Sequence, residues 1–262
     1  MKKMIFIKFG GSIITDKNQE EKVNLDSIDN LSKQVSEILN KEKDIKIMIG
    51  NGAGSFGHMQ VERYKLNNGV KTSVQKLGVT KVQELVARLN QMVVKSLTKH
   101  NLPAVSIKPS SIITTSDKKI HNLPMDPLIN YLNDGYIPVI YGDMVKDLML
   151  GAIVMSTDRL FFETSKLFYE KDIKIDKIIF CGSTKGVLDL NGNTISEITK
   201  KSFPNIKNVF FENRYADVTG SMKKKVETAL RITEFGIKSY IIDIASLSSC
   251  VLDNKFFGTV IK

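Results

Sequence analysis

Apolar residues along the chain fall into two kinds of run. Short, nearly unbroken stretches recur at Met4–Phe9, Ile45–Ile49, Pro103–Ile107, Ile137–Tyr141, Lys177–Phe180, Tyr240–Asp243 and Gly258–Ile261, the pattern of buried strands. Between them lie stretches with helical spacing. Ile28, Leu31, Val35, Ile38 and Leu39 form one, with Asp26 or Ser27 as its cap. A second runs from Val79 to Leu97 through Val82, Leu85, Val86, Leu89, Met92 and Val93, a face broad enough to wall a pocket for an apolar substrate tail as well as to fill a core. Others cover Pro127–Leu132, the residues up to Phe168 after a cap at Ser156 or Thr157, and Ser221–Phe235 with Met222, Val226, Ala229 and Leu230. Met144–Met155, broken near Gly151, reads as a hairpin. Strands alternating with helices predict an α/β fold, a three-layer αβα sandwich around a mainly parallel open sheet. No linker, repeat or low-complexity stretch divides residues 1–262, so a single domain is expected.

Such a sheet gathers ligands at the carboxyl ends of its strands. Glycines stand at four of those ends: Gly10-Gly11-Ser12, Gly52-Ala53-Gly54-Ser55-Phe56-Gly57-His58, Gly142-Asp143 and Gly182. Glycine lets the backbone approach a ligand closely, so that successive N–H groups converge on an anion, and His58 adds a proton-tunable donor. Lys8 interrupts a strand that is otherwise Ile, Phe and Ile, and with Lys17 it brackets the first turn. Cations around a backbone nest suit a polyphosphate. Gly52-x-Gly54-x-x-Gly57 also matches the dinucleotide fingerprint, which calls for an acidic residue about 20 positions further on. No acid occurs between Glu62 and Glu84, and Glu84 lies in a helical pattern. Neither is there a Walker G-x-x-x-x-G-K-[ST] segment. Two glycine turns at adjacent strand ends, with Lys8, Lys17 and Lys225 as cations, fit phosphoryl transfer, which needs alignment and positive charge more than covalent help. Helix N-termini at Ser156 and Ser221 add positive potential, and Asp158 in such a first turn at least satisfies the helix dipole.

Composition narrows the setting. The net charge is +10 and the pI about 9.4, but the lysines are scattered and no aromatic-rich motif accompanies them. That describes a solvated surface attractive to small anions, and not a nucleic-acid binder. Cys181 and Cys250 are far apart in apolar contexts without zinc spacing, which reads as free buried thiols in the cytoplasm. No apolar run reaches the roughly 18 residues of a membrane span. The basic and apolar start, Met1 to Ile7, is cut short by Lys8 and is a first strand, not a signal peptide. A homodimer is the expected assembly, since two-fold pairs are the commonest symmetric oligomers.

Lys8-Phe9-Gly10-Gly11-Ser12 with Lys17, the Gly52–His58 turn, Gly142-Asp143, and Asp217-Val218-Thr219-Gly220-Ser221-Met222 with Lys225 resemble the amino acid kinase superfamily, in that family's order across nearly the whole chain. Pro103–Ser111 is similar too, and Ser55-Phe56-Gly57-His58 points to the isopentenyl phosphate kinase branch. The resemblance implies ATP-dependent phosphorylation of a small monophosphate, isopentenyl phosphate, to its diphosphate. It implies an acceptor-binding lobe over residues 1–155 and a nucleotide-binding lobe over 156–262. Lys8 would stabilise the moving phosphoryl group, Lys17 and Lys225 would hold ATP phosphates, and Gly10, Gly11, Ser12, Gly182 and Gly220 would line the nucleotide side. On the acceptor side it places Gly52, Ala53, Gly54, Ser55, Gly57, His58, Gly142 and Asp143, with backbone donors from Gly54 and Ser55. Asp158 would orient the lysines as their counter-charge. Mg2+ would ride mainly on nucleotide oxygens. Several positions depart from the pattern: Asn51 and Tyr141 replace histidines, Thr157 and Ser221 replace glycines, Arg159 replaces an aspartate, and Lys185 stands where an acid is usual. A kinase for another phosphate or phosphonate such as fosfomycin, and a catalytically silent nucleotide-binding protein, are the alternatives.

Overall fold

The computed structural model describes residues 3–206, 221–253 and 255–262. The elements run β1 (Lys3–Phe9), α1 (Gly11–Ile14), α2 (Leu25–Lys41), β2 (Ile45–Asn51), α3 (Gly54–Arg63), α4 (Ser73–Lys99), β3 (Ala104–Ile107), α5 (Pro109–Ile112), β4 (Thr114–Ser116), β5 (Lys119–Asn122), α6 (Asp126–Asn133), β6 (Ile137–Tyr141), β7 (Asp143–Asp147) and β8 (Gly151–Met155). There follow α7 (Thr157–Glu170), β9 (Lys177–Gly182), β10 (Val187–Leu188), β11 (Thr194–Ile195), β12 (Glu197–Ile198), α8 (Phe203–Ile206), α9 (Ser221–Ile232), β13 (Lys238–Asp243), α10 (Leu247–Leu252) and β14 (Gly258–Ile261).

The main sheet has the order β12-β14-β13-β9-β1-β2-β6-β3. Its pairings from β13 through β9, β1, β2 and β6 to β3 are all parallel, and β14 enters antiparallel to β13. Each central strand alternates between two cores. Ile5 and Ile7 of β1 join Ile47, Ile49, Leu31, Val35 and Leu89 on the α2–α4 face, and Phe6 meets Met48, Phe161, Phe168 and Phe180 on the α7–α9 face. That layering is the expected sandwich, and it places β9, β1, β2 and β6 side by side. The turns at Gly182, Gly10, Gly52 and Gly142 therefore line one edge of the sheet.

Helix starts follow their capping chemistry. Asn24, not Asp26 or Ser27, caps α2: its side chain accepts from the Ser27 amide, because Asn24 is the residue that keeps a non-helical backbone there. Helix α4 begins six residues before the apolar stripe, at a capping box in which Thr72 and Gln75 satisfy each other's backbone amides. Ser156 caps α7 by accepting from the Arg159 amide at 3.2 Å. On α4, Val82 and Val86 pack with Val61, Tyr141, Met144 and Ala152 into a third apolar cluster beside the second glycine turn. Burial pushes the Tyr141 phenol well above its usual range, with the nearby Asp143 charge adding to the effect. Among the described residues no helix is long and apolar enough to cross a membrane.

A second sheet, β5-β4-β7-β8, is tied together by one carboxylate. Fully buried Asp147 accepts from the amides of Asp117, Lys118, Met149 and Leu150 and from the Thr115 hydroxyl, at 2.8–3.2 Å. Burial alone would raise its pKa, but those donors hold it well below the usual carboxylate range.

Candidate active site

The first two glycine turns are in backbone contact. A Cβ on Gly11 would stand 2.6 Å from the amide nitrogen of Gly54, and one on Gly52 2.5 Å from that of Gly11. Any side chain at either position would push the turns apart. Gly54 adopts φ +51°, and a Cβ there would lie 2.1 Å from Thr15 Oγ1. Thr15, just past α1, stitches the turns together: its hydroxyl donates to the Gly11 carbonyl (2.8 Å) and accepts from the Ser55 amide (3.1 Å).

Several backbone donors assigned from sequence are consumed by the fold. Gly10 donates to the Cys181 carbonyl and Gly52 to that of Phe9, at 3.0 and 2.9 Å, each extending the sheet by one bond. The Ser55 amide belongs to Thr15, so the donor that remains at this position is its buried hydroxyl, which has no partner among the described residues. Gly57 donates within α3 to Ala53, and its lack of a side chain lets α3 lie against α4: a Cβ would meet Val86 at 3.1 Å. Among the described residues no acceptor takes the amides of Gly11, Ser12, Ala53 or Gly54. Those groups cluster where the turns meet.

Lys8, next to last in β1, is 8 % exposed. Its Nζ lies 2.6 Å from Asp158 Oδ1, in the first turn of α7. Lys225 on α9 reaches the end of β9, where its Nζ would lie 3.8 Å from a Cβ on Gly182. Lys17 and His58 are exposed, the first on the loop between Thr15 and Val23 and the second on α3. That loop is strapped down by Glu20, which accepts from both terminal nitrogens of Arg63 (3.0 and 2.7 Å) and from Gln60, and by the Glu21–Arg88 ion pair. Both anchors of Glu20 are on α3, so Lys17 and His58 sit on latched segments. Gly142 joins this side: its amide donates to the Asn51 carbonyl, and a Cβ on it would stand 3.7 Å from that of Ala53.

The Asp143 carboxylate is engaged within the fold. It is 2 % exposed, one oxygen accepts from the Ser110 amide (3.0 Å) and the other from its neighbour Met144 (2.8 Å). Burial raises its pKa against the pull of those bonds. Its place is structural, holding α5 against β7. Gly220 lies outside the described residues, as does the rest of Asp217–Gly220. Cys181 and Cys250 are buried free thiols, the second pushed up to about 12 chiefly by burial, hence inert.

Three polar residues to which sequence assigned no part in the site complete the edge. Thr15 is one. Thr157, a departure from the family pattern, donates its hydroxyl to the carbonyl of Asn51, another departure, at 2.7 Å. Asn90 of α4 bonds the Asn51 side chain at 2.8 Å. The polar residue in the apolar stripe of α4 was the signal for Asn90; nothing in the local sequence marked Thr15.

Residues 3–243 match the amino acid kinase family. An isopentenyl phosphate kinase of Methanothermobacter thermautotrophicus is 32% identical over 98% of this chain and 98% of its own. One of Methanocaldococcus jannaschii is 30% identical over 86% and 85%. A crystal structure of isopentenyl phosphate kinase superposes with a TM-score of 0.80 at 25% identity, covering 98% of this chain and 100% of that one. With its sheet order, its paired glycine turns and these relatives, the chain belongs to the amino acid kinase family and, within it, groups with the isopentenyl phosphate kinases.

Proposed function

We propose that the chain transfers the terminal phosphoryl group of ATP to isopentenyl phosphate, yielding isopentenyl diphosphate. The observation that carries this reading is the contact between the Gly11 and Gly54 turns, with four amides where they meet that no described residue accepts from, and the part-buried Lys8–Asp158 pair at the end of the strand leading into the first. Two anions bound there are neighbours, which is the alignment that transfer between phosphates requires. The relatives named for this activity span nearly the whole chain.

Each side chain then has a task. Lys8 stabilises charge on the phosphoryl group in transit, and Asp158 fixes its ammonium. Lys17 and Lys225, with Gly10, Gly11, Ser12, Gly182 and Gly220, serve the nucleotide. His58 and the amides of Ala53 and Gly54 bind the acceptor's phosphate, flanked by Gly52, Gly57 and Gly142. The acceptor side occupies residues 1–155 and the nucleotide side 156–262. ATP supplies the phosphoryl group, and the lysine-rich edge fits its polyphosphate. Mg2+ rides mainly on the nucleotide oxygens in this reading. The reading extends to a cytoplasmic homodimer, supported by the two buried thiols and by the prevalence of two-fold assemblies.

A coupled ADP-release assay with isopentenyl phosphate, dimethylallyl phosphate, longer prenyl phosphates and fosfomycin tests the assignment. Isopentenyl phosphate is expected to give the highest kcat/KM. A preference for fosfomycin, or ATP binding without turnover, contradicts it.

A further inference from the structure

A relay of side-chain amides runs beneath the second glycine turn and ends on it. The Ser106 hydroxyl, on edge strand β3, donates to Asn90 Oδ1 at 2.6 Å. Asn90 Nδ2 donates to Asn51 Oδ1 at 2.8 Å, and Asn51 Nδ2 donates to the Gly52 carbonyl at 3.3 Å. Asn90 and Asn51 are both 0 % exposed. An amide buried between apolar helices and strands is costly unless its donor and acceptor ends are both used. In this relay every link runs the same way. With the Asn90 oxygen facing Ser106, its nitrogen faces Asn51, and that leaves the Asn51 nitrogen facing Gly52.

The consequence falls on the next peptide. No peptide bond among the described residues is cis, and in a trans peptide the carbonyl and the following N–H point in opposite directions. Drawing the Gly52 carbonyl toward Asn51 turns the Ala53 amide the other way, toward the open side of the turn. There no described residue accepts from it. The Asn51 backbone is fixed as well, because its carbonyl accepts from Thr157 Oγ1 at 2.7 Å and from the Gly142 amide at 3.3 Å. The turn is thus held from α4 on one face of the sheet and from α7 on the other.

We propose that Asn90 is a positioning residue, which acts through Asn51 to aim the Ala53 amide at the phosphate of the acceptor. The inference rests on the phosphotransfer reading and adds to it a role for a helix residue that touches no substrate.

Two variants test it. Asn90→Leu removes the donor to Asn51. Asn90→Asp keeps the shape but offers Asn51 an acceptor, so the Asn51 amide turns over and sets its oxygen against the Gly52 carbonyl. The unaltered protein and both variants are titrated with inorganic phosphate and with isopentenyl phosphate while the Ala53 amide resonance is followed, and KM for each substrate and kcat are measured. In the unaltered protein the Ala53 amide proton is expected to move downfield with either ligand. In the variants, half-saturation and acceptor KM rise about tenfold, the cost of one misdirected hydrogen bond, with ATP KM and kcat within about twofold. An Ala53 resonance in the unaltered protein that answers neither ligand overturns the proposal, and this arm needs no variant to fold. So does a folded variant whose acceptor KM is unchanged, or one whose ATP KM rises equally. A responsive Ala53 in a protein that does not turn over isopentenyl phosphate supports the relay and contradicts the choice of acceptor instead.

Discussion

Lys8 Nζ and Asp158 Oδ1 lie 2.6 Å apart across 150 residues of sequence, with side chains 10% and 18% exposed. Little water reaches the pair, so its charges are poorly screened and the cost of desolvating them is met mainly by each other. A cation fixed this way at the end of a central strand is pre-aimed and need not reorganise as negative charge develops nearby. Lys8→Met is expected to lower kcat by about 10- to 150-fold, the equivalent of about 1.5–3 kcal/mol for one charged hydrogen bond, with acceptor KM nearly unchanged. Steady-state kinetics with both substrates varied checks this; a rise in KM at constant kcat would reassign Lys8 to ground-state binding.

His58→Ala is expected to show the opposite split. The imidazole is exposed on α3, four residues from the Gly54 amide, and so within the segment proposed to receive the acceptor. Its loss raises acceptor KM by roughly 10- to 150-fold on the same scale and leaves kcat within a few fold. A fall in kcat with unaltered acceptor KM would place His58 in the chemical step.

Thr15→Val probes the seam between the two turns. Valine keeps the volume but strands the Ser55 amide, now bonded to the Thr15 hydroxyl, and takes one of two donors from the Gly11 carbonyl, which keeps the residue-15 amide at 3.0 Å. At about 1–3 kcal/mol for one buried group left unsatisfied, the variant loses roughly that much stability, and the KM values of both substrates rise. Denaturant unfolding and kinetics read the two effects. An effect on one substrate alone would mean that the turns are not mechanically joined.

How much of this was legible beforehand differs by kind of residue. Strands such as Ile45–Asn51 announce themselves because their apolar runs are short and end in glycine, and parallel order follows from the helices between them. Lys8 stood out as a charge inside an apolar run. Thr15 and Asn90 did not carry a readable role, since their partners Ser55 and Asn51 are 40 and 39 residues away and only the fold brings them together. For the same reason the sequence could count the Ser55 amide as a free donor when the folded chain had already engaged it, and could not show that the Asp143 carboxylate accepts from Ser110 and Met144. The two unusual residues Asn51 and Thr157 are explained as a pair, one accepting from the other. Nothing in the structure explains Lys185 in place of an acid; its side chain is exposed.

Asp147 makes stability depend on acidity. Its pKa is depressed in the folded protein, so its contribution is complete above the unfolded value of about 3.9 and fades as pH falls from there through the lower folded value. Asp147→Asn leaves Oδ1's three amides served but turns an NH2 group toward Lys118 and Thr115. The expected loss is about 2–4 kcal/mol at pH 7, shrinking below about pH 4. Urea unfolding at pH 7, 5 and 3 measures it. A difference that grows on acidification contradicts the account.

The most direct test is a crystal structure with a non-hydrolysable ATP analogue and isopentenyl phosphate bound together. The terminal phosphate of the analogue is expected at Lys8 and the Gly11 and Ser12 amides. The acceptor's phosphate is expected at His58 and the amides of Ala53 and Gly54, its attacking oxygen about 3–3.5 Å from the terminal phosphorus. Phosphates bound on separate faces of the sheet, or an acceptor beyond reach of the Ala53 turn, would contradict it.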